Sequence, residues 1–321
     1  MGEFRKIFRK VNGLSMLKQY AKAGVLGFAL LETMLLGFSR KSLEIVRLAV
    51  EHRILDKLRK QYRRYVQEYM RESGKSEPLA YVHSRTIWVC WMQGMDHAPE
   101  LVQCCFRSLQ RHLADRKIVV ITEENYREFV EFPVHIEEKY KKGVISRTHF
   151  SDLLRLELLI RYGGTWIDAT VLCTGANVPE YILDSDLFVY QCLKPGRDGH
   201  DCTISSWLMT ACGNHPILML TRALLYRYWE THNYMKDYYL LHDFFQIAAE
   251  AYPEEWKKTV PTDSSAPHIL LLNLFEAYDE TWLRYVTDMT CFHKLSYKHG
   301  EPERAREGTY YRWVLETERK T

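Results

Sequence analysis

Asp152, Arg155 and Asp168 have the residue types and spacing to bind a polar ligand. Asp152 and Arg155 stand three residues apart, which puts both on one helical face, where a carboxylate and a guanidinium can together orient hydroxyl groups. The plainer alternatives are a helix-start charge for Asp152 and a surface ion pair for Arg155. Asp168 sits between the β-formers Thr165-Trp166-Ile167 and Val171-Leu172. A carboxylate at the end of a buried strand must meet a metal, a donor or a ligand. In open α/β sheets the carboxyl ends of strands are where ligands bind. Trp166, two residues earlier, shares the face of Asp168 and either packs on a ligand or fills the core. No Ser-His-Asp set, P-loop or GxGxxG motif is present.

The elements that must hold these groups follow from the run SDLLRLELLIRYGGTWIDATVLCT, residues 151–174. Ser151 reads as an N-cap, and Leu153, Leu154, Leu156, Leu158, Leu159 and Ile160 form a wide apolar helical face. Gly163-Gly164 stops the helix, and a buried strand carrying Asp168 follows. Further strands are predicted over 86–91, 117–122 and 187–192, with helices over 99–113, 123–130, 215–229 and 238–251. The segment 203–212 reads as a strand or turn near the site, and the tail after Gly300 as charged and peripheral. Such alternation predicts an α/β fold with a mostly parallel sheet and helices on both faces. Ahead of it, residues 1–72 read as helical and 73–78 as a linker, giving a basic helical extension over 1–78 and a main domain over 79–321.

Residues 1–75 hold 17 Lys/Arg against 7 Asp/Glu, whereas the rest carries 27 against 34, so the net charge of +3 hides a basic arm on a mildly acidic body. The arm suits an anionic membrane surface, or is simply a solvated hairpin, and no nucleic-acid motif accompanies it. The apolar stretch 23–38 contains Glu32 and is short for a membrane span, so a core or interfacial helix is expected there. It begins too far into the chain, and lacks the small-residue cleavage site, for a secretory signal. Eight cysteines, at 90, 104, 105, 173, 192, 202, 212 and 291, show no CxxC or other metal spacing, the usage of a reducing compartment.

The block 151–174 resembles the helix–Gly-Gly–strand core of DXD-type sugar-binding glycosyltransferases: family 32, the bacterial capsular polysaccharide synthesis proteins and, more distantly, the glucosylating clostridial toxins. IWVCWMQG (87–94), APELV (98–102), VITEENY (120–126), KYKKGVISRTHFSDLLR (139–155) and HKLSYK (293–298) are similar to the capsular subgroup, so the resemblance covers most of residues 85–300. It implies a GT-A fold and transfer of a hexose from a nucleotide sugar, UDP-galactose or UDP-glucose, to a lipid-linked oligosaccharide acceptor, with retention. Ser151, Asp152 and Arg155 would then grip the donor sugar. Trp91, Gln93 and Trp166 would face the nucleotide, Lys298 would neutralise the diphosphate, and Asp168 and His293 would bind Mn²⁺ or Mg²⁺. Thr170 stands where the motif's last aspartate would be, and a hydroxyl is a poorer ligand for a hard cation than a carboxylate. Either the metal is held by fewer protein groups, or lysine and arginine replace part of its charge.

Two histidine and loop readings complete the set. His242-Asp243 is a second candidate beside His293, but on a strongly apolar helix it reads rather as a satisfied core histidine, while the basic-aromatic loop 139–149 reads as a lid over the donor. The resemblance places the protein in the cytoplasm, peripheral on the inner face of the membrane. Two other activities share these features: a non-catalytic binder of nucleotide sugar or polysaccharide, and a sugar-phosphate transferase releasing nucleoside monophosphate.

Overall fold

The computed structural model describes residues 13–75, 77, 79–175, 177–193 and 203–317; Ser76, Pro78 and Cys202 of the sequence reading lie outside them. The described residues open with α1 (Gly13–Ala23), α2 (Leu26–Leu36) and the 34-residue α3 (Arg40–Ser73). Ser39 caps α3 by accepting the Ser42 backbone N–H. Val46, Val50, Ile54, Leu58 and Tyr62 recur every four residues along α3 and are buried. They pack into one core with Phe244 and Phe245 of the later helix α8 (Leu240–Ala251), so the N-terminal helices and the body share apolar packing.

The body is α/β. β1 (Ile87–Cys90), β2 (Ile118–Ile121), β3 (Gly164–Ile167), β5 (Leu187–Gln191) and β6 (Ile204–Ala211) form one sheet in the order β2-β1-β3-β6-β5. β2, β1 and β3 are parallel neighbours, and β6 runs against β3 and β5. The mostly parallel sheet expected from the alternation is therefore present. Its two faces are separated by the pleat. Trp88, Trp166 and Met209 face a core with α6 (Arg147–Tyr162), α7 (Pro216–Thr231) and α8. Ile87, Val89, Ile167 and Leu208 face the other core with Val102 and Leu109 of α4 (Glu100–His112). Between α4 and α6 lies α5 (Val134–Lys141).

Three sequence expectations change. α6 starts at Arg147, capped by Ser146, whose Oγ accepts the His149 N–H at 3.2 Å; Ser151 lies inside the helix and donates to the Thr148 carbonyl. Ser146 is a cap of the same chemistry one turn earlier, so the choice between the two serines rests on the register of the preceding turn. Second, the stretch around Asp168 is two strands. β3 ends at Ile167, Asp168-Ala169-Thr170 turns, and β4 (Val171–Cys173) joins a separate two-stranded sheet with β7 (Phe292–Lys294). Third, the tail is integral. α10 (Tyr310–Thr317) buries Tyr310, Tyr311, Val314 and Leu315 in a cluster with Cys104 of α4, Leu172 of β4 and Leu283 of α9 (Glu280–Met289).

The Gly163-Gly164 pair is required by geometry. Gly163 ends α6 at φ 67° and Gly164 begins β3 at φ 98°, both in the left-handed half of the map. A Cβ on Gly164 would also collide with the Thr86 carbonyl oxygen. Gly164→Ala is expected to lower stability by about 3 kcal/mol or more, measured by urea denaturation. A loss below about 1 kcal/mol would show that the pair can relax without disturbing β3.

Candidate active site

Asp168 is the first residue after β3, at the carboxyl end of the parallel strands. Its backbone N–H donates to Trp207 O at 2.8 Å and its carbonyl accepts from Val171 at 3.0 Å, which fixes the turn. Three side-chain contacts converge on its carboxylate. Oδ1 accepts from Trp166 Nε1 at 2.9 Å and Arg155 Nη2 at 3.3 Å, and Oδ2 from Lys294 Nζ at 2.9 Å. Lys294 Nζ also donates to Thr170 Oγ1 at 2.6 Å. Burial alone would raise the Asp168 pKa; the Lys294 and Arg155 charges, with hydrogen bonds from Lys294 and Trp166, outweigh it and hold the group below the ordinary carboxylate value.

Arg155 links this group to Asp152. Its Nη1 lies 3.2 Å from Asp152 Oδ1, an ion pair rather than an aligned hydrogen bond, and its guanidinium sits 4.9 Å from the centre of the Trp166 ring. Asp152 is held from its other side by His149, Nδ1 to Oδ2 at 3.2 Å. Trp229 Nε1 reaches His149 Nε2 at 3.0 Å. An indole nitrogen can only donate, so His149 Nε2 accepts and, in the neutral ring, Nδ1 carries the proton toward Asp152. The result is a row, Trp229–His149–Asp152–Arg155–Asp168–Lys294–Thr170, with two carboxylates balanced by two fixed cations. Asp152 and Arg155 are buried, while the Asp168 side chain is 29% exposed and open to a ligand. Tyr238, itself exposed, lies near enough to both carboxylates that partial burial and their charges raise its hydroxyl pKa.

The structure thus brings together Asp152, Arg155, Trp166 and Asp168. Trp166 is 1% exposed, so its ring is core and its indole N–H supports Asp168. His293 is placed differently from the expectation. It pairs with Leu172 across the small sheet, is fully buried, and meets Thr174 Oγ1 at 3.0 Å. Burial pushes its pKa down to about 4. The next residue on β7, Lys294, points to the opposite face by the two-residue period and is the one that reaches Asp168. Lys298 is exposed, 5.9 Å from the Tyr297 ring centre. The same Tyr297 packs edge-on against Trp91 at 5.4 Å. Gln93 lines a cavity of about 560 Å³ with Met92, Tyr140, Gly143 and Arg147. A separate cavity of about 640 Å³, among Arg111, Thr174, Arg284 and Trp313, contains none of the expected residues and is not the site we assign.

The loop expected to close as a lid is fastened at one end. Lys139 Nζ donates to the carbonyls of Trp229 and His232, and Tyr140 stacks on Phe150 with centres 3.8 Å apart. Lys294, His149 and Trp229 were not singled out as site residues in the sequence. The His149–Asp152 spacing of three on α6 was a readable signal; Trp229 had none.

Residues 38–314 match the family described as capsular polysaccharide synthesis protein. The chain belongs to that family. Nine chains of known structure also match. One, titled PaToxG Glycosyltransferase, is 13% identical and aligns over 81% of this chain and 96% of its own, with a TM-score of 0.37. Among curated proteins there is no match.

In this capsular polysaccharide synthesis protein the row of charges has a pH signature. A carboxylate with a depressed folded pKa adds stability above its unfolded pKa and loses it as pH falls through the folded value. The stability difference between the native protein and Asp168→Asn is expected to be largest above about pH 5. It should shrink as pH falls below the ordinary value of 3.8. Urea midpoints collected across that range check this, and a difference independent of pH would mean that Asp168 is not held ionised by its neighbours.

Proposed function

We propose that this protein is a glycosyltransferase of polysaccharide synthesis, of GT-A type, which moves a hexose from a nucleotide sugar, UDP-galactose or UDP-glucose, to a lipid-linked oligosaccharide with retention of configuration. The observation that carries the proposal is the pairing of Asp152, Arg155 and Asp168 at the carboxyl end of the parallel strands, with Asp168 open to solvent. Transfer from a sugar diphosphate needs stabilisation of charge on the leaving group and orientation of the sugar hydroxyls. Asp168 is the exposed acceptor for those hydroxyls, and the buried Asp152 holds Arg155 against it. Trp91 and Gln93 at the end of β1, Ser151 on α6 and Lys298 beyond β7 are proposed as outer donor contacts.

The protein is further proposed to work at the cytoplasmic face of the cell membrane. No helix among the described residues is long and apolar enough to cross a bilayer. α2 nevertheless exposes Leu30, Leu31, Met34 and Leu35, two of them at 71%, and Phe38 is exposed just beyond. Arg40 and Lys41 follow directly, the combination of apolar insertion and basic charge that suits anionic lipid. Leu31→Asp with Leu35→Asp is expected to abolish co-sedimentation with vesicles containing phosphatidylglycerol while leaving the melting temperature unchanged. Equal pelleting of the variant would refute this attachment.

The non-catalytic alternative draws on Thr170, which replaces the motif's last carboxylate. A panel of UDP- and GDP-sugars with polysaccharide acceptor separates the readings. Nucleoside diphosphate release from one donor, reduced about 100-fold or more by Asp168→Asn, is the expected result. Donor binding without release would favour the binder, and monophosphate release the sugar-phosphate transferase.

A further inference from the structure

The space between Asp168 and Thr170 is already filled by a cation that belongs to the chain. Lys294 Nζ lies 2.9 Å from Asp168 Oδ2 and 2.6 Å from Thr170 Oγ1, so one ammonium bridges the first and third residues of the Asp-Ala-Thr turn. A divalent ion does not fit this donor set. Mg²⁺ and Mn²⁺ favour octahedral oxygen ligands, with carboxylates among them. Here the turn offers one carboxylate, with both oxygens occupied, and one hydroxyl. Among the described residues no three His, Cys, Asp or Glu converge to hold a metal. A divalent ion at the turn would also face a lysine charge under 3 Å from its ligand.

The ammonium is placed to act on a substrate as well as to hold the turn. Its side chain is 21% exposed, and two of its three N–H donors are engaged by Asp168 and Thr170, which leaves one for an incoming anion. Arg155, by contrast, is 4% exposed and is committed to both carboxylates. The pairing of β7 with β4 sets this reach, because Lys294 stands opposite Val171, the residue after Thr170.

We propose that Lys294 is the built-in counter-charge of the site: a catalytic residue that meets the departing diphosphate where a divalent ion would otherwise stand, so that transfer needs no added metal. Its diphosphate role rests on the glycosyltransferase reading; its exclusion of metal does not. In the step, the bond from the anomeric carbon to the diphosphate oxygen breaks and its electron pair stays on that oxygen. The acceptor hydroxyl oxygen bonds to the anomeric carbon, and its proton passes to the released diphosphate. Lys294 keeps its protons throughout and donates a hydrogen bond to the oxygen that gains charge.

The test joins a donor-free metal titration to a turnover assay on the full chain. Mn²⁺ is titrated into the native protein and Asp168→Asn and followed by electron paramagnetic resonance, without and with UDP. The two titrations are expected to coincide, and nucleotide release is expected to be unchanged within about twofold in EDTA. Lys294→Met should lose release by about 100-fold or more, with or without Mn²⁺. Lys294→Arg, which keeps the charge, should lose about tenfold or less. Lys294→Met combined with Thr170→Asp should acquire Mn²⁺ binding and Mn²⁺-dependent release, which also shows that the variant folds. One Mn²⁺ per native chain, lost in Asp168→Asn, would overturn the proposal, as would release abolished by EDTA and restored by Mn²⁺. Absence of turnover with every donor would sink the glycosyltransferase reading, while the metal titration still decides whether Lys294 holds the cation position.

Discussion

One buried-edge carboxylate organises this molecule. Asp168 leaves the central sheet partly exposed, and cations and donors from three separate parts of the chain arrive within hydrogen-bonding distance and favour its ionised form. α6 contributes Arg155, β3 contributes Trp166, and β7 contributes Lys294, some 126 residues further along. An unpaired carboxylate there would be expensive, and each partner is costly to bury alone. Mutual neutralisation makes the group affordable in the fold and leaves a polar surface facing outward. The Gly-Gly turn serves the same end, because it lets α6 and β3 approach closely enough for Arg155 to lie over Trp166.

The amino-acid sequence disclosed the local parts of this arrangement well. Apolar periodicity marked α6, the glycine pair marked its end, and a lone aspartate among β-formers marked the turn that follows β3. β1, β2 and β5 were likewise legible from short apolar runs bounded by polar residues, whereas the segment of β6, interrupted by Ser205 and Ser206, could be read as strand or turn. What escaped was pairing between distant segments. β7 has only three residues, too few for alternation to show that His293 faces inward and Lys294 toward Asp168. The same limit hid Trp229, whose indole meets His149 only because α7 packs on α6. The tail misled for a related reason: its charges are evident in composition, but the apolar stripe Tyr310, Tyr311, Val314 and Leu315 declares itself only against a partner surface.

The charge balance around the site also explains why Thr170 is chemically coherent. A second carboxylate at that position would add negative charge to a row in which Asp152 and Asp168 already match Arg155 and Lys294. A hydroxyl accepts the ammonium without adding charge. If Lys294 is the counter-charge of the site, threonine is its complement rather than a degraded ligand.

The small sheet of β4 and β7 has a wider consequence. Lys294 is carried by a strand whose only strand neighbour in this sheet is β4, and the layer beneath them is built from α4, α9 and α10. The last described helix, α10, thus forms part of the floor under the most distant member of the site. A shortened chain ending near Gly300 would retain every side chain that touches Asp168, yet would lack the surface on which one of them rests. The C-terminal segment is, in mechanical terms, the abutment of the charged row.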